Sequence, residues 1–214
     1  MAYSAFSDVR DWVFDLDNTL YPPSARLFDQ IEIRMTDYVM QTLDVDRDRA
    51  DHLRRHYWQT YGTTLAGLMQ EHHVDPGPYL TDVHDISLDH LSSDPALAAA
   101  ITALPGRKIV YTNGSAPYAR RVLSARGLDG IFDGVYGVED ADFHPKPDRA
   151  AFQKIFARAN VNPNLAAMFE DDPRNLLQPY NMGMRTILVS DHPLDQDHIQ
   201  FHTNDLAAFL HRLG

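Results

Sequence analysis

The feature that most constrains this chain is a stretch near its start, VFDLDNTLYP at positions 13–22. An apolar, β-prone run at 12–14 leads into it and is of the kind that forms a buried strand. Two carboxylates, Asp15 and Asp17, follow at once, and Pro22 indicates that the chain then turns. Open α/β sheets bind ligands at the carboxyl ends of their strands. Taken alone, the pattern fits either a ligand site or solvated acids in a turn.

The residues after this stretch carry helix signals and no strand signal. Leu27, Ile31 and Met35 recur at helical spacing, as on an amphipathic helix. Further along, Asp75-Pro76 and Asp94-Pro95 each place an N-cap residue before a proline at the first helical position. We therefore predict a helical block that directly follows the first strand.

From residue 94 onward, predicted strands alternate with predicted helices. With the first strand included, the predicted strands are 12–14, 108–112, 135–138, 166–169 and 185–189. This alternation predicts a parallel sheet with right-handed crossovers. The predicted fold class is α/β, with a Rossmann-like parallel five-stranded core at 1–20 and 94–214 and a helical insertion at 21–93.

Composition narrows the class of protein and of partner. The chain has 214 residues, enough for one domain with a modest insertion, and its 44% of hydrophobic residues is usual for globular proteins. A formal net charge of −11 disfavours polymeric nucleic acid and anionic membranes as partners, but it permits a small phosphorylated ligand. The lack of cysteine excludes thiolate catalysis and Cys-bound zinc. No signal peptide is visible, so we expect a cytoplasmic protein, and the oligomeric state stays open.

Polar residues with possible chemistry follow the later strands. Thr112 and Asn113 end the second strand, where a hydroxyl and free amide groups suit either a phosphate oxygen or a helix cap. Lys146 lies between two prolines, which hold its backbone extended and stiff. Its alternative is a surface lysine in a loop.

Acidic residues end the fourth strand as well. The run Glu170-Asp171-Asp172 is either a solvated turn or part of a site. Together with Asp15 and Asp17 it places five carboxylates near one edge of the sheet. Such a cluster raises its own pKa values unless cations neutralise it. Oxygen ligands favour a hard divalent ion such as Mg²⁺, with Lys146 as a second cation.

The sequence FDLDNTL at 14–20 resembles the D-x-D-x-T nucleophile motif of the haloacid dehalogenase-like superfamily, most of whose members are phosphatases. The superfamily's three other motifs follow in order, each at a strand end or in the loop after it. The resemblance covers essentially the whole chain. It implies a phosphatase, because the residue at Asp17 differs from what the dehalogenase branch has there.

The resemblance implies a role for each matching residue. Asp15 would be the nucleophile that forms an aspartyl-phosphate, and Asp17 the general acid–base. Thr112, Asn113 and Lys146 would bind the phosphoryl group of the substrate.

The same resemblance implies a magnesium site as cofactor. Its ligands would be Asp15, the backbone carbonyl of Asp17, and Asp171. Glu170 and Asn175 would be secondary members of this metal site.

Details of the helical insertion narrow the resemblance further. The sequences DNTLYP at 17–22 and YGTTLAGL at 61–68 look like those of the pyrimidine 5′-nucleotidase-like group, which implies a pyrimidine nucleoside 5′-monophosphate as substrate. Tyr57, Trp58 and Tyr61 would either pack the superfamily's cap or stack on a base. The alternatives are a phosphatase of a sugar phosphate or other small metabolite, a phosphomutase, and a catalytically silent phosphate-binding module.

Overall fold

The computed structural model describes residues 2–213, and within them it contains one sheet of six parallel strands. The strands are ordered β3-β2-β1-β4-β5-β6. Their bounds are β1 (Asp11–Phe14), β2 (Arg107–Tyr111), β3 (Gly134–Tyr136), β4 (Ala166–Glu170), β5 (Arg185–Val189) and β6 (Phe201–Thr203). The α/β class and the Rossmann-like parallel sheet are confirmed, but the predicted count of five strands was one too low.

The missed strand, β6, lies at the edge of the sheet. It pairs in parallel with β5 between Ile187 and Val189. Its three residues, FHT, contain no apolar run and no clear alternation, so the sequence carries no strand signal there. Pairing with an existing strand, rather than local preference, accounts for its conformation.

Helices cover both faces of the sheet, as parallel sheets require. In the described chain they are α1 (Leu27–Leu43), α2 (Arg47–Tyr61), α3 (Thr64–His72), α4 (Pro76–Val83), α5 (Pro95–Ala103), α6 (Ala116–Ala125), α7 (Arg149–Arg158), α8 (Pro173–Asn181) and α9 (Leu206–His211). None of these helices is long and apolar enough to cross a membrane.

Alternation along β1 supplies both halves of the core. Trp12 and Phe14 point to one face, where the Phe14 ring stacks on Phe169 with centroids 4.7 Å apart. Val13 points to the opposite face and packs in a second buried cluster with Phe152 of α7. All of these side chains are essentially buried, so β1 is fixed from both sides.

Helices α1–α4 form an insertion between β1 and α5, and residues 21–93 contain no strand. Asp75 and Asp94 cap α4 and α5 as predicted, since each side chain accepts a backbone N–H of the first turn. α8 begins with the same signal as α4 and α5, since Asp172 is its N-cap and Pro173 its first residue.

The register of the sheet brings the polar strand ends together. Phe14 of β1 lies opposite Val110 of β2 and Phe169 of β4. Because all three strands run in the same direction, the residues that follow them emerge at one edge. The helical insertion begins directly after β1, at this same edge of the sheet.

Candidate active site

The centre of the site is a buried ion-pair network around Lys146. Its Nζ donates to Asp15 Oδ1 at 2.6 Å, to Glu170 Oε1 at 2.8 Å and to the Tyr111 carbonyl at 3.1 Å. All three charged side chains are at least nine-tenths buried. The sequence analysis placed Lys146 beside Asp15, and the structure brings them into direct contact.

Glu170 is saturated by protein donors. Oε1 accepts from Lys146 and from Asn175 Nδ2 at 2.6 Å, and Oε2 accepts the N–H groups of Asp171 and Asp172 at 2.7 and 3.1 Å. A carboxylate offers about four lone-pair positions. Glu170 therefore serves as the fixed counter-charge of Lys146 and has no free position for a metal ion.

The charges in this network shift one another's pKa values. Burial alone would lower the pKa of Lys146, but the carboxylates of Asp15 and Glu170 outweigh it and raise that pKa. Burial and the Glu170 charge raise the pKa of Asp15 well above its usual range. The same two causes, followed by the Asp15 charge, raise the pKa of Asp171 to about 10. The single positive charge of Lys146 thus does not balance the negative charge of the surrounding carboxylates.

The acids next to Lys146 fit a divalent metal ion. Asp15, Glu170 and Asp171 each place a carboxylate oxygen within 4.8 Å of the other two. Since Glu170 is saturated, Asp15 and Asp171 are the carboxylates left to bind the ion, as the sequence analysis expected. Asn175 Oδ1 is buried in the same place without a hydrogen-bond partner among the described residues. These hard oxygen donors and the uncompensated charge match what Mg²⁺ requires.

Asp17 is held apart from the Lys146 network by two phenols. Its Oδ1 accepts the hydroxyls of Tyr21 at 2.6 Å and of Tyr118 at 2.8 Å. Burial raises the pKa of Asp17, and these two hydrogen bonds, which favour the carboxylate, oppose the rise. Burial thus favours the protonated form of Asp17, which is the form that a general acid needs.

Thr112 and Asn113 follow β2, and they contact Asp17 and Lys146 respectively. Thr112 Oγ1 accepts the Gly114 N–H at 2.9 Å and comes within 3.5 Å of Asp17 Oδ2. The Asn113 side chain is bonded at both ends to the backbone of Lys146, at 2.7 and 3.1 Å. A phosphate contact from Asn113 would therefore come from its backbone N–H, because its side chain positions the lysine.

A cavity of about 930 Å³ opens above these residues. Its floor contains Asp15, Asp17 and Lys146, and its walls come from α1, α2 and the start of α3. This volume falls within the range of sites for small molecules. The helical insertion thus covers the strand ends and encloses the space where a substrate would lie.

The three aromatic residues of α2 have different surroundings. Tyr57 is fully buried. Its hydroxyl is hydrogen-bonded to His72 Nε2 at 2.7 Å, and its ring packs against Gly67. Tyr61 is bonded to Glu71 and lies outside the active-site cavity. Only Trp58 of the three lines the cavity, and 48% of it is exposed. The stacking hypothesis is therefore wrong for Tyr57 and survives for Trp58.

Asp172, which lacked a role in the sequence analysis, orients an arginine. Its carboxylate accepts hydrogen bonds from Arg174 Nη2 at 2.6 Å and from the Arg174 backbone N–H at 3.0 Å. The guanidinium carbon of Arg174 lies 3.7 Å from the centre of the Trp58 ring. The first turn of α8 therefore contacts α2 of the helical insertion at the edge of the cavity.

Several of these partners were missed from the sequence. Tyr21 lies only four residues after Asp17 and could have been noticed, since the next turn of chain can fold back on it. Tyr118 lies in the first turn of α6, 101 positions from Asp17, and no local signal marks it. The contact between Arg174 and Trp58 is likewise visible only in the folded chain.

Comparisons with known proteins agree with this geometry. Residues 12–177 match the family model of haloacid dehalogenase-like hydrolases. Phosphate metabolism protein 8 of Saccharomyces cerevisiae is 26% identical over 204 residues, which cover 87% of this chain and 64% of that protein. The chain thus spans less than two thirds of that relative's length.

Solved structures share the fold at low sequence identity. A HAD phosphatase from Thermococcus onnurineus has a TM-score of 0.64 at 17% identity, covering 96% of this chain and 98% of that one. The HAD-hydrolase YfnB from Bacillus subtilis, bound to magnesium, has 0.62 at 15%, with the same coverage. A 2-haloacid dehalogenase from Pseudomonas syringae has 0.59 at 19%, covering 94% and 96%.

These three structures include a phosphatase and a dehalogenase, so likeness of fold does not choose between the two reactions. The family itself follows from the sequence match, which extends over most of the chain. This chain belongs to the haloacid dehalogenase-like hydrolase family.

Proposed function

We propose that this hydrolase is a Mg²⁺-dependent phosphatase that acts on a small phosphomonoester through an aspartyl-phosphate. The observation that carries the proposal is the pairing of Asp15 with Lys146, with the carboxyl group of Asp17 held two residues away by Tyr21 and Tyr118. One carboxylate is placed for attack and the other for proton transfer. A haloacid has no leaving oxygen that would need a proton.

In the first step an oxygen of Asp15 attacks phosphorus. Lys146 contacts Oδ1, which leaves Oδ2 for the attack. As the new O–P bond forms, the bond from phosphorus to the leaving oxygen breaks, and Asp17 gives that oxygen its proton. Lys146 offsets negative charge on the transferring group.

In the second step the aspartyl-phosphate is hydrolysed. Asp17, now ionised, takes a proton from a water molecule whose oxygen attacks phosphorus. The O–P bond to Asp15 breaks, phosphate is released, and Asp17 holds the proton needed for the next cycle. Helices α1 and α2 cover part of the space in which the intermediate would form.

Asp15, Asp171 and the Asp17 carbonyl would hold Mg²⁺ at this site. When bound, the ion supplies positive charge that stabilises the phosphoryl group during transfer. The magnesium in the B. subtilis structure supports this part of the proposal. The yeast relative's name, Phosphate metabolism protein 8, supports a phosphorylated substrate.

A pyrimidine nucleoside 5′-monophosphate is the proposed substrate. The phosphoryl-binding groups do not contact the leaving group, so the helical insertion must select it. That insertion, at 21–93, acts as a cap over the core at 1–20 and 94–214. A cavity of about 930 Å³ with an exposed indole in its wall has room for a nucleoside.

A phosphate-release assay tests the proposal. Purified protein with Mg²⁺ is given uridine and cytidine 5′-monophosphates, ribose 5-phosphate and acetyl phosphate, beside an Asp15→Asn variant. We expect turnover of all these phosphorylated compounds by the wild type, a preference for the nucleotides, and no turnover by the variant. Equal rates with ribose 5-phosphate would replace the nucleotidase with a sugar phosphatase. Absence of release from every substrate would leave a silent binding module.

A further inference from the structure

One face of α2 lines the active-site cavity. Each of its cavity-facing residues has another three or four positions away, as on one side of a helix, although two of them are adjacent. They are Arg47, Asp51, Arg54, Arg55 and Trp58. The face therefore presents several guanidinium groups and one indole to the space above the catalytic residues. None of these residues has a role in phosphoryl transfer.

The arginines of this face differ in whether they have partners. Arg47 is paired with Asp37 at 2.7 Å, and Arg54 is bonded to Thr36 at 2.7 Å. The side chain of Arg55 is exposed and makes no hydrogen bond or ion pair with any residue in the range 2–213. A guanidinium group carries five N–H donors. Arg55 thus offers unused donors at the cavity wall.

Trp58 lies one helical turn further along the same face. The chain's other tryptophan, Trp12, is 1% exposed, whereas 48% of Trp58 is exposed. Arg174 covers the Trp58 ring, and Asp172 fixes the Arg174 guanidinium by hydrogen bonds. This cation–π contact stabilises the position of the ring. With 48% of its surface exposed, the flat indole remains accessible at the cavity wall.

We propose that Arg55 and Trp58 form the leaving-group subsite and bind a planar ring with carbonyl oxygens at its edge. The ring would pack against the indole, and Arg55 would donate hydrogen bonds to the oxygens. A pyrimidine base has both features, whereas a sugar has neither a π face nor ring carbonyls. This subsite rests on the proposed function, since it names the residues that select the substrate of that same reaction.

Nucleoside binding tests the subsite without any catalysis. Uridine is titrated into the wild type, and Trp58 fluorescence is followed, with ribose as the comparison ligand. We expect uridine, but not ribose, to quench the emission. Trp58→Leu should abolish the quenching, because the remaining tryptophan is buried. Arg55→Ala should weaken binding by roughly tenfold or more, as expected for hydrogen bonds to a charged group.

Arg49→Ala is the matched control. Arg49 is exposed on the same helix but does not line the cavity, so its removal should leave uridine binding unchanged. In steady-state assays, Arg55→Ala should lower kcat/KM for uridine 5′-monophosphate and leave acetyl phosphate turnover unchanged. Equal losses on both substrates would mean a structural role and overturn the subsite.

The two proposals can fail separately. If the wild type hydrolyses uridine 5′-monophosphate but uridine causes no quenching and Arg55→Ala behaves as the wild type, the subsite is overturned and the phosphatase stands. If uridine binds through Arg55 and Trp58 but no phosphate ester is hydrolysed, the subsite stands and the phosphatase is refuted. A third outcome would also overturn the ring-binding role. In it, uridine does not bind, but a ligand with a second anionic group binds more tightly than one with a single such group, and Arg55→Ala removes this gain in affinity.

Discussion

Replacing Glu170 with glutamine should cost a large part of the folding free energy. Each carboxylate oxygen accepts two hydrogen bonds, from Lys146 and Asn175 on one side and from two backbone N–H groups on the other. Whichever oxygen becomes an NH₂ group will face two donors. In addition, Lys146 loses one of its two buried counter-charges. Such disruption of a buried pair costs about 3–5 kcal/mol.

One opposing effect places the expected value near the lower end of that range. The Glu170 charge raises the pKa values of Asp15 and Asp171, so its removal relieves repulsion within the cluster. Since domains are stable by only about 5–15 kcal/mol, a loss near 3 kcal/mol is readily measured by urea unfolding at neutral pH.

Glu32→Gln is the matched control for this substitution. Its side chain is 53% exposed and pairs with Arg54 at 3.2 Å, so the loss should stay below about 1 kcal/mol. If Glu170→Gln destabilises the protein no more than Glu32→Gln does, Glu170 is not the counter-charge that fixes Lys146, and the electrostatic account of the site is wrong.

Three further predictions concern pH, packing and metal. Burial lowers the pKa of His84 from 6.5 to about 4, so between these pH values the unfolded chain binds more protons than the folded one. The free energy of unfolding should therefore fall as the pH drops through that window. His84→Asn should remove up to about 3 kcal/mol of this fall, as measured by urea titrations at several pH values. A Cβ at Gly67 would lie 2.2 Å from the Tyr57 ring, so Gly67→Ala should lower stability by about 1–3 kcal/mol, whereas Gly77→Ala, with 3.4 Å to its nearest neighbour, should not. Chelation should abolish phosphate release and Mg²⁺ should restore it, with Asp171→Asn requiring more Mg²⁺; full activity of the chelated protein would contradict the metal assignment.

The sequence predicted that the candidate catalytic residues lie together, because parallel strands all end at one edge of the sheet. Once 12–14, 108–112 and 166–169 were identified as strands, the residues after them had to meet. The edge strand β6 escaped, because pairing with β5 rather than its own composition determines its conformation. The acidic run after β4 contains the start of α8, because Asp172 and Pro173 form a regular N-cap and first helical residue.

The partners of the catalytic residues could not be predicted in the same way. Asn113 is hydrogen-bonded to Lys146, which lies 33 positions further along the chain, and Arg174 contacts Trp58 at the edge of the cavity. These contacts depend on how helices pack over the sheet, which periodicity does not specify. For the same reason the sequence could not separate Tyr57, which packs the insertion, from Trp58, which faces the cavity.

The most direct test of the central claim is to find the phosphoryl group on Asp15. The Asp17→Asn variant keeps the nucleophile but loses both the acid that protonates the leaving oxygen and the base that activates water. With acetyl phosphate, whose acetate leaving group needs no proton, only the second step depends on Asp17, so the intermediate should accumulate when acetyl phosphate is added with Mg²⁺. Acid quenching, digestion and mass spectrometry should then locate one phosphoryl group on the side chain of Asp15, and none in a variant that also carries Asp15→Asn. Steady phosphate release by Asp17→Asn without any such adduct, or a phosphoryl group on another residue, would contradict nucleophilic catalysis by Asp15.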